Sequence, residues 1–138
     1  MRRSWTLWIS LLAGCGRADE PRVAEETLTT ARRENFAYRA ALRQSLKGDI
    51  DALREMLRFA SKTDAAGALG HGAVLAELLV KVGEDLAVHA AAKLDAEEKR
   101  SCLDVLKAGT CYSSDPRVKD VELEKLFPAL VAALQGRR

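Results

Sequence analysis

The sequence predicts an all-α fold, an irregular helical bundle or short helical solenoid of about five to six helices, and three observations carry that expectation. Apolar residues recur at intervals of three and four and never in sustained alternation, which is the period of a helix and not of a strand. Segment ends repeat one kind of stop signal, Lys47-Gly48, Lys81-Val82-Gly83 and Lys107-Ala108-Gly109. Each sets a cation against the negative end of a helix dipole and a glycine where the chain would turn left-handed. Starts are equally legible: Asp95 followed by Glu98 is a capping-box pattern, and Ser114-Asp115-Pro116 offers an N-cap with proline at the first helical position.

These signals place helices near 34–47, 49–61, 64–82, 84–93, 96–108 and 116–135. Tyr38, Leu42 and Leu46 form the apolar stripe of the first; Ile50, Leu53, Leu57 and Ala60 form that of the second. In the third, His71 stands in register with Leu75, Leu78 and Val82, so it reads as a hydrogen-bonded core histidine. Gly67 and Gly70 share a face of that helix, where a neighbour could approach closely. The acid pairs Asp49/Asp51 and Glu97/Glu98 suit helix starts. In the fifth helix, Cys102 lies on the apolar side with Leu103 and Leu106. In the last, Pro128 should kink the helix or begin a new one among Leu123, Leu126, Phe127, Leu130, Val131 and Leu134. Connections are short, so successive helices should fold back on one another.

Gly70-His71 followed by Val74-Leu75, Leu78-Leu79 and Gly83 is similar to the second helix of an ankyrin repeat, and Gly48-Asp49 with Leu53, Met56 and Leu57 echoes it. The interval from Gly48 to Gly70 is far short of the usual period of about 33 residues, and no Thr-Pro-Leu-His stretch is present, so an ankyrin array is not the expectation.

The first fifteen residues, Met1-Arg-Arg-Ser-Trp-Thr-Leu-Trp-Ile-Ser-Leu-Leu-Ala-Gly-Cys15, read as a targeting segment. Two arginines precede an apolar run, Trp5 to Leu12, that is too short to span a bilayer, for which about 20 residues are needed. Leu12-Ala13-Gly14-Cys15 resembles the lipobox of bacterial lipoproteins. The resemblance implies that residues 1–14 are a cleaved signal peptide, and that Cys15 carries a diacylglyceryl thioether, becomes the new N-terminus and is often N-acylated as well. Gly16 is not the aspartate that retains lipoproteins at the inner membrane in enteric bacteria. The expected location is therefore the cell envelope, lipid-anchored and facing the periplasm, with the outer membrane favoured where there are two. Arg2-Arg3-Ser4-Trp5 faintly resembles a twin-arginine signal, and the export route stays open. Residues 15–34, polar and sparsely apolar, read as a tether that turns helical toward its end and would reach roughly 60 Å fully extended. Residues 35–138 form a single helical domain.

The chain has 22 Lys+Arg against 20 Asp+Glu. Arg2 and Arg3 would leave with the signal, so the mature protein is balanced, which argues against nucleic acid as a partner. With Cys15 assigned to the lipid, Cys102 and Cys111 remain in an oxidising compartment, where a disulfide is the simplest pairing. Two free thiols are the alternative; a metal or nucleophilic cysteine lacks a Cys-x-x-Cys or a nearby histidine. Asp85 and His89 share a helix face at a spacing that a metal could bridge, but two ligands do not make a site. Gly67-x-x-Gly70-His71-Gly72 matches neither a phosphate loop nor a dinucleotide fingerprint. No catalytic constellation, metal or cofactor is expected.

The leading expectation for function is a membrane-anchored envelope lipoprotein acting as a protein-binding helical module. The alternative is a periplasmic immunity or inhibitor protein that neutralises a toxin or hydrolase; an enzyme comes third. The residues that helical periodicity leaves unexplained, Tyr112 and the glycines Gly67, Gly70 and Gly72, are the expected partner contacts.

Overall fold

The computed structural model describes residues 20–137. Cys15 and the expected signal peptide lie outside them. Among the described residues there are eight α-helices and no strand: α1 (Glu25–Arg33), α2 (Tyr38–Leu46), α3 (Ile50–Arg58), α4 (Ala65–Val82), α5 (Glu84–Ala91), α6 (Ala96–Tyr112), α7 (Leu123–Leu126) and α8 (Pro128–Leu134). A 3₁₀ turn, Phe59–Lys62, continues α3. The architecture is an all-α helical bundle.

Helix α4 is its axis. The helix makes its most extensive contact with α6, and α1 and α2 pack on it as well. The pair α2 and α3 forms a hairpin whose second helix also meets α5, and α8 closes over α5 and α6. By length and hydropathy alone α4 would qualify as a membrane span. Burial of Gly67, His71, Gly72, Val74, Leu75, Ala76, Leu78 and Leu79 accounts for that composition, because a helix covered on several sides is apolar nearly all round.

Several local signals act as expected. Asp49 caps α3 by accepting from the N–H groups of Asp51 and Ala52, both at 3.0 Å. Asp95 and Glu98 form the reciprocal capping box, at 2.8 and 3.0 Å. Gly48 (φ 90°) and Gly83 (φ 95°) turn the chain left-handed after α2 and α4. Pro128 starts α8, whose first free amides find a carboxylate elsewhere in the fold: Glu84 Oε2 accepts from Ala129 and Leu130 N–H at 3.0 and 3.2 Å.

Four expectations need correction. Residues 15–34 turn helical toward their end as expected, but that helix, α1, is not part of a tether: it buries Thr27, Thr30 and Ala31 against the body. Glu34 and Asn35 do not open the next helix; they close α1, with Asn35 in the left-handed region (φ 54°) and Phe36 N–H returning to Ala31 O at 2.8 Å. Residues 116–122 are not the start of a long last helix. Asp115 O accepts from Val118 and Lys119 N–H to make one turn, which Asp120 (φ 59°) ends by donating its N–H to Thr110 O at 3.0 Å.

The fourth concerns the cysteines. Gly109 does not stop α6, which runs on to Tyr112, so Cys102 and Cys111 sit nine positions apart on one helix. At about 1.5 Å of rise per residue their Cα atoms are separated by about 13 Å, whereas a disulfide tolerates up to about 7 Å. Both are free thiols, Cys102 buried and Cys111 exposed. Burial pushes the Cys102 thiol up to about 12.

Candidate functional site

Three consecutive residues of α4, Gly70, His71 and Gly72, face three different partners. Successive residues of a helix point about 100° apart, so such a triplet sweeps most of the circumference.

Gly72 meets α6. A Cβ built on it would strike Val105 O and come within 2.9 Å of Gly109 Cα, and a Cβ on Gly109 would strike the backbone of Gly72. The two helices therefore cross backbone to backbone, and this is why Gly109 stays helical: its missing side chain leaves room for α4 and is not needed for a turn. On the other side of α4, Gly70 and Gly67 meet α1. A Cβ on Gly67 would stand 2.8 Å from Thr30 Oγ1, and one on Gly70 would stand 2.5 Å from Thr27 Oγ1. Thr27 Oγ1 donates across the contact to Gly67 O at 3.3 Å. Gly67 and Gly72 are buried, so these two expected partner contacts are instead internal packing positions.

His71 faces α2 and α3. Its Nε2 lies 2.9 Å from Met56 O and its Nδ1 2.7 Å from Tyr38 Oη. A carbonyl can only accept, so Nε2 carries the proton and Nδ1 accepts from the tyrosine hydroxyl. Burial pulls the imidazole down to about 4, against the Met56 carbonyl, which favours the charged form, and burial likewise holds the Tyr38 phenol well above its usual range. Phe59 stacks on Phe36 at 4.7 Å and meets the edges of Tyr38 and His71 at 5.5 and 5.0 Å. The periodicity of each helix places these residues inward, but nothing local says that they meet in one cluster. The scarcity of aromatics, 5% of the chain, was the available signal. With both nitrogens engaged and no path to solvent, His71 is a structural histidine. His89, exposed on α5, donates from Nδ1 to the backbone oxygen of Asp85 at 2.9 Å.

Two clefts open on the surface. The first, about 460 Å³, lies between residues 20–24, the outer face of α4 and the segment from Tyr112 to Asp115. It brings together two of the expected contact residues, Tyr112 and Gly70. Tyr112, 63% exposed, is the one large apolar side chain left exposed among the described residues. Ser113 Oγ donates to Glu77 Oε1 at 2.7 Å and accepts from Asp115 N–H at 3.1 Å, fixing the loop that carries the tyrosine. Arg117 holds the Asp115 carboxyl below its usual range. Arg43 of α2 pairs with Glu20 Oε2 at 3.4 Å, while Glu20 Oε1 is buried without a hydrogen-bond partner.

The second cleft, about 820 Å³, runs between α2 and α3. Ala37 just before α2, Ala40 and Ala41 from α2 and Ala52 from α3 give it a shallow floor of methyl groups. Its rim is charged and internally braced. Arg54 pairs with Asp51 at 2.7 Å and reaches Ala90 O at 3.2 Å; Arg58 pairs with Glu55 and, at 2.6 Å, with Glu98. Lys93 completes the rim. Among the described residues no group of three or more His, Cys, Asp or Glu side chains is placed to hold a metal ion.

Comparison of this chain with protein-family models, with curated proteins and with solved structures finds no match.

Proposed function

We propose that this chain is a lipid-anchored protein of the bacterial cell envelope that binds another envelope protein in the groove between α2 and α3 and has no turnover of its own. The observation that carries the reading is the groove. A floor of four alanines lets a helix backbone approach closely, and the braced rim of Asp51, Arg54, Glu55, Arg58 and Lys93 offers both charge signs to the polar flanks of an amphipathic helix. Ion pairs already formed within the rim keep it rigid before a partner arrives, which lowers the ordering cost of association. The anchor and the envelope location rest on the lipobox at Leu12 to Cys15. Support for a binding role over a catalytic one comes from the two histidines: His71 is sealed in the core and His89 is turned onto its own helix.

Capture from envelope extract by the membrane-extracted protein tests the reading. Ala40→Trp fills the groove from an exposed position and should abolish capture while the far-UV circular dichroism stays unchanged; retained capture would remove the groove from consideration. Intact mass of the same preparation reports the anchor. A chain beginning at acylated Cys15 is expected, and an unmodified chain beginning at Met1 would sink the lipoprotein reading.

A further inference from the structure

We propose that His71 is an acid-operated latch on the groove: while neutral it pins the wall formed by α2 against the wall formed by α3, and on taking up a proton it frees α2, so that the groove lets go of the helix it holds. The inference rests on the groove reading and adds to it a means of release.

Geometry makes the first part of the argument. The two walls are not held alike: α3 packs on α2, α5 and α6, whereas α2 packs chiefly on α3 and α4. Tyr38, the first residue of α2, gives its hydroxyl to His71 Nδ1 at 2.7 Å, and the same ring gives its Nε2 proton to Met56 O of α3 at 2.9 Å. One side chain of α4 thus ties both walls together from the core side. Phe36 carries the tie outward, since it lines the groove and stacks on Phe59, which meets the edge of the His71 ring at 5.0 Å.

Proton chemistry makes the second part. A proton on Nδ1 turns an acceptor into a donor that faces the Tyr38 O–H. His71 is the one hydrogen-bond partner of that hydroxyl among the described residues, so turning its hydrogen away leaves it unpaired in the core. Nothing nearby answers the new charge. No Asp, Glu, Lys or Arg is buried among the described residues. The buried titratable groups on the elements around α4 are Tyr38 of α2 and Cys102 of α6, and burial keeps both protonated and neutral. α1 buries two threonines and an alanine, and α5 only alanines. The charged ring is relieved only by reaching water, and its cover is held least at α2. The backbone contact of Gly72 with Gly109 lies on another side of α4 and keeps α6 in place.

Hydrogen–deuterium exchange read by mass spectrometry on the membrane-extracted protein, at pH 7 and pH 5 and corrected for the intrinsic pH dependence of exchange, tests the latch. An open ring titrates near 6.5 and the closed one near 4, so the opening of α2 should rise roughly 20-fold over that interval while α6 keeps its protection. Tyr38→Phe deletes the bond that only the neutral ring accepts and should start the opening at higher pH; where that variant does not fold, the wild-type profile decides alone. In parallel, protein captured from envelope extract at pH 7 should elute from the wild type at pH 5 and stay on His71→Gln. A rise of equal size in α2 and α6 would show that acid loosens the whole fold, and it overturns the proposal. So do unchanged exchange in α2 and an occupant that the wild type still holds at pH 5. Opening of α2 at pH 5 without capture at pH 7 would instead show a latch on an empty site: the groove reading fails there, and the release it regulates fails with it.

Discussion

Helix α4 is gripped from two sides by glycine contacts of different kinds. At the α6 side, Gly72 and Gly109 put backbone on backbone, and every atom that an added methyl would meet belongs to a main chain. At the α1 side, Gly67 and Gly70 put backbone against the hydroxyls of Thr30 and Thr27, which can rotate. Glycine at a helix crossing thus means two things. In one contact it sets the distance between two rigid cylinders; in the other it makes room for a side chain that has alternatives. The first should tolerate no substitution, and the second should give.

Gly72→Ala and Gly109→Ala are the strongest tests. Each should cost about 3 kcal/mol or more, because relief requires moving α4 away from α6 and opening the core between them. Urea unfolding followed by circular dichroism measures this, and a loss below about 1 kcal/mol would erase the distinction between the two contacts.

Between the two glycine contacts sits His71, which makes the grip sensitive to acid. The unfolded imidazole takes up a proton near pH 6.5, whereas the buried one refuses it until about 4. Protons in that window therefore favour the unfolded chain: the stability is complete above pH 6.5 and is lost as the pH falls toward 4. The loss should reach about 2 kcal/mol by pH 5. Unfolding curves from pH 7 to 4 check the slope, and His71→Gln should flatten it while lowering stability at pH 7. An unchanged slope in the variant would move the acid sensitivity elsewhere.

At the α1 side the effects should be smaller and correctable. Gly70→Ala should cost about 1 kcal/mol, and adding Thr27→Ala should return part of it, since the nearest atom in the way is the threonine hydroxyl, with Ala24 Cβ behind it at 3.0 Å. Strict additivity of the two changes would show that the backbone, not the hydroxyl, sets that contact. The smallest effect concerns reactivity rather than stability. Cys111 should react with a thiol reagent at once, and Cys102 only at the rate of unfolding. A protein with neither thiol titratable after denaturation would contradict the continuity of α6.

Gly109 also shows where reading the chain from its residues reaches its limit. Lys81-Val82-Gly83 and Lys107-Ala108-Gly109 are the same local signal, and only one of them ends a helix. What separates them is Gly72 in α4, a long-range partner that local composition does not name. The capping acids, the left-handed Gly48 and Gly83, the inward face of each long helix and the core role of His71 were legible because their causes lie within a turn or two of the residue. That residues 15–34 turn helical toward their end was legible, but the docking of α1 onto the body was not, since it buries two threonines and one alanine, too little apolar surface to register as a stripe. Of the candidate contact residues, Tyr112 and Gly70 meet in one cleft, while the alanine-floored groove went unseen because Ala37, Ala40 and Ala41 look like ordinary helix formers.

The crossing of α4 with α6 also orders the assembly of the fold. α4 cannot bury its Gly72 face until α6 exists, and α6 follows only after α5 and its turn. A chain emerging from its N-terminus would therefore present α1 to α4 with their mutual contacts but without the crossing against α6. Closure waits for residues near Tyr112, late in the sequence. Such a chain makes its most extensive helix contact only once nearly all of it is present.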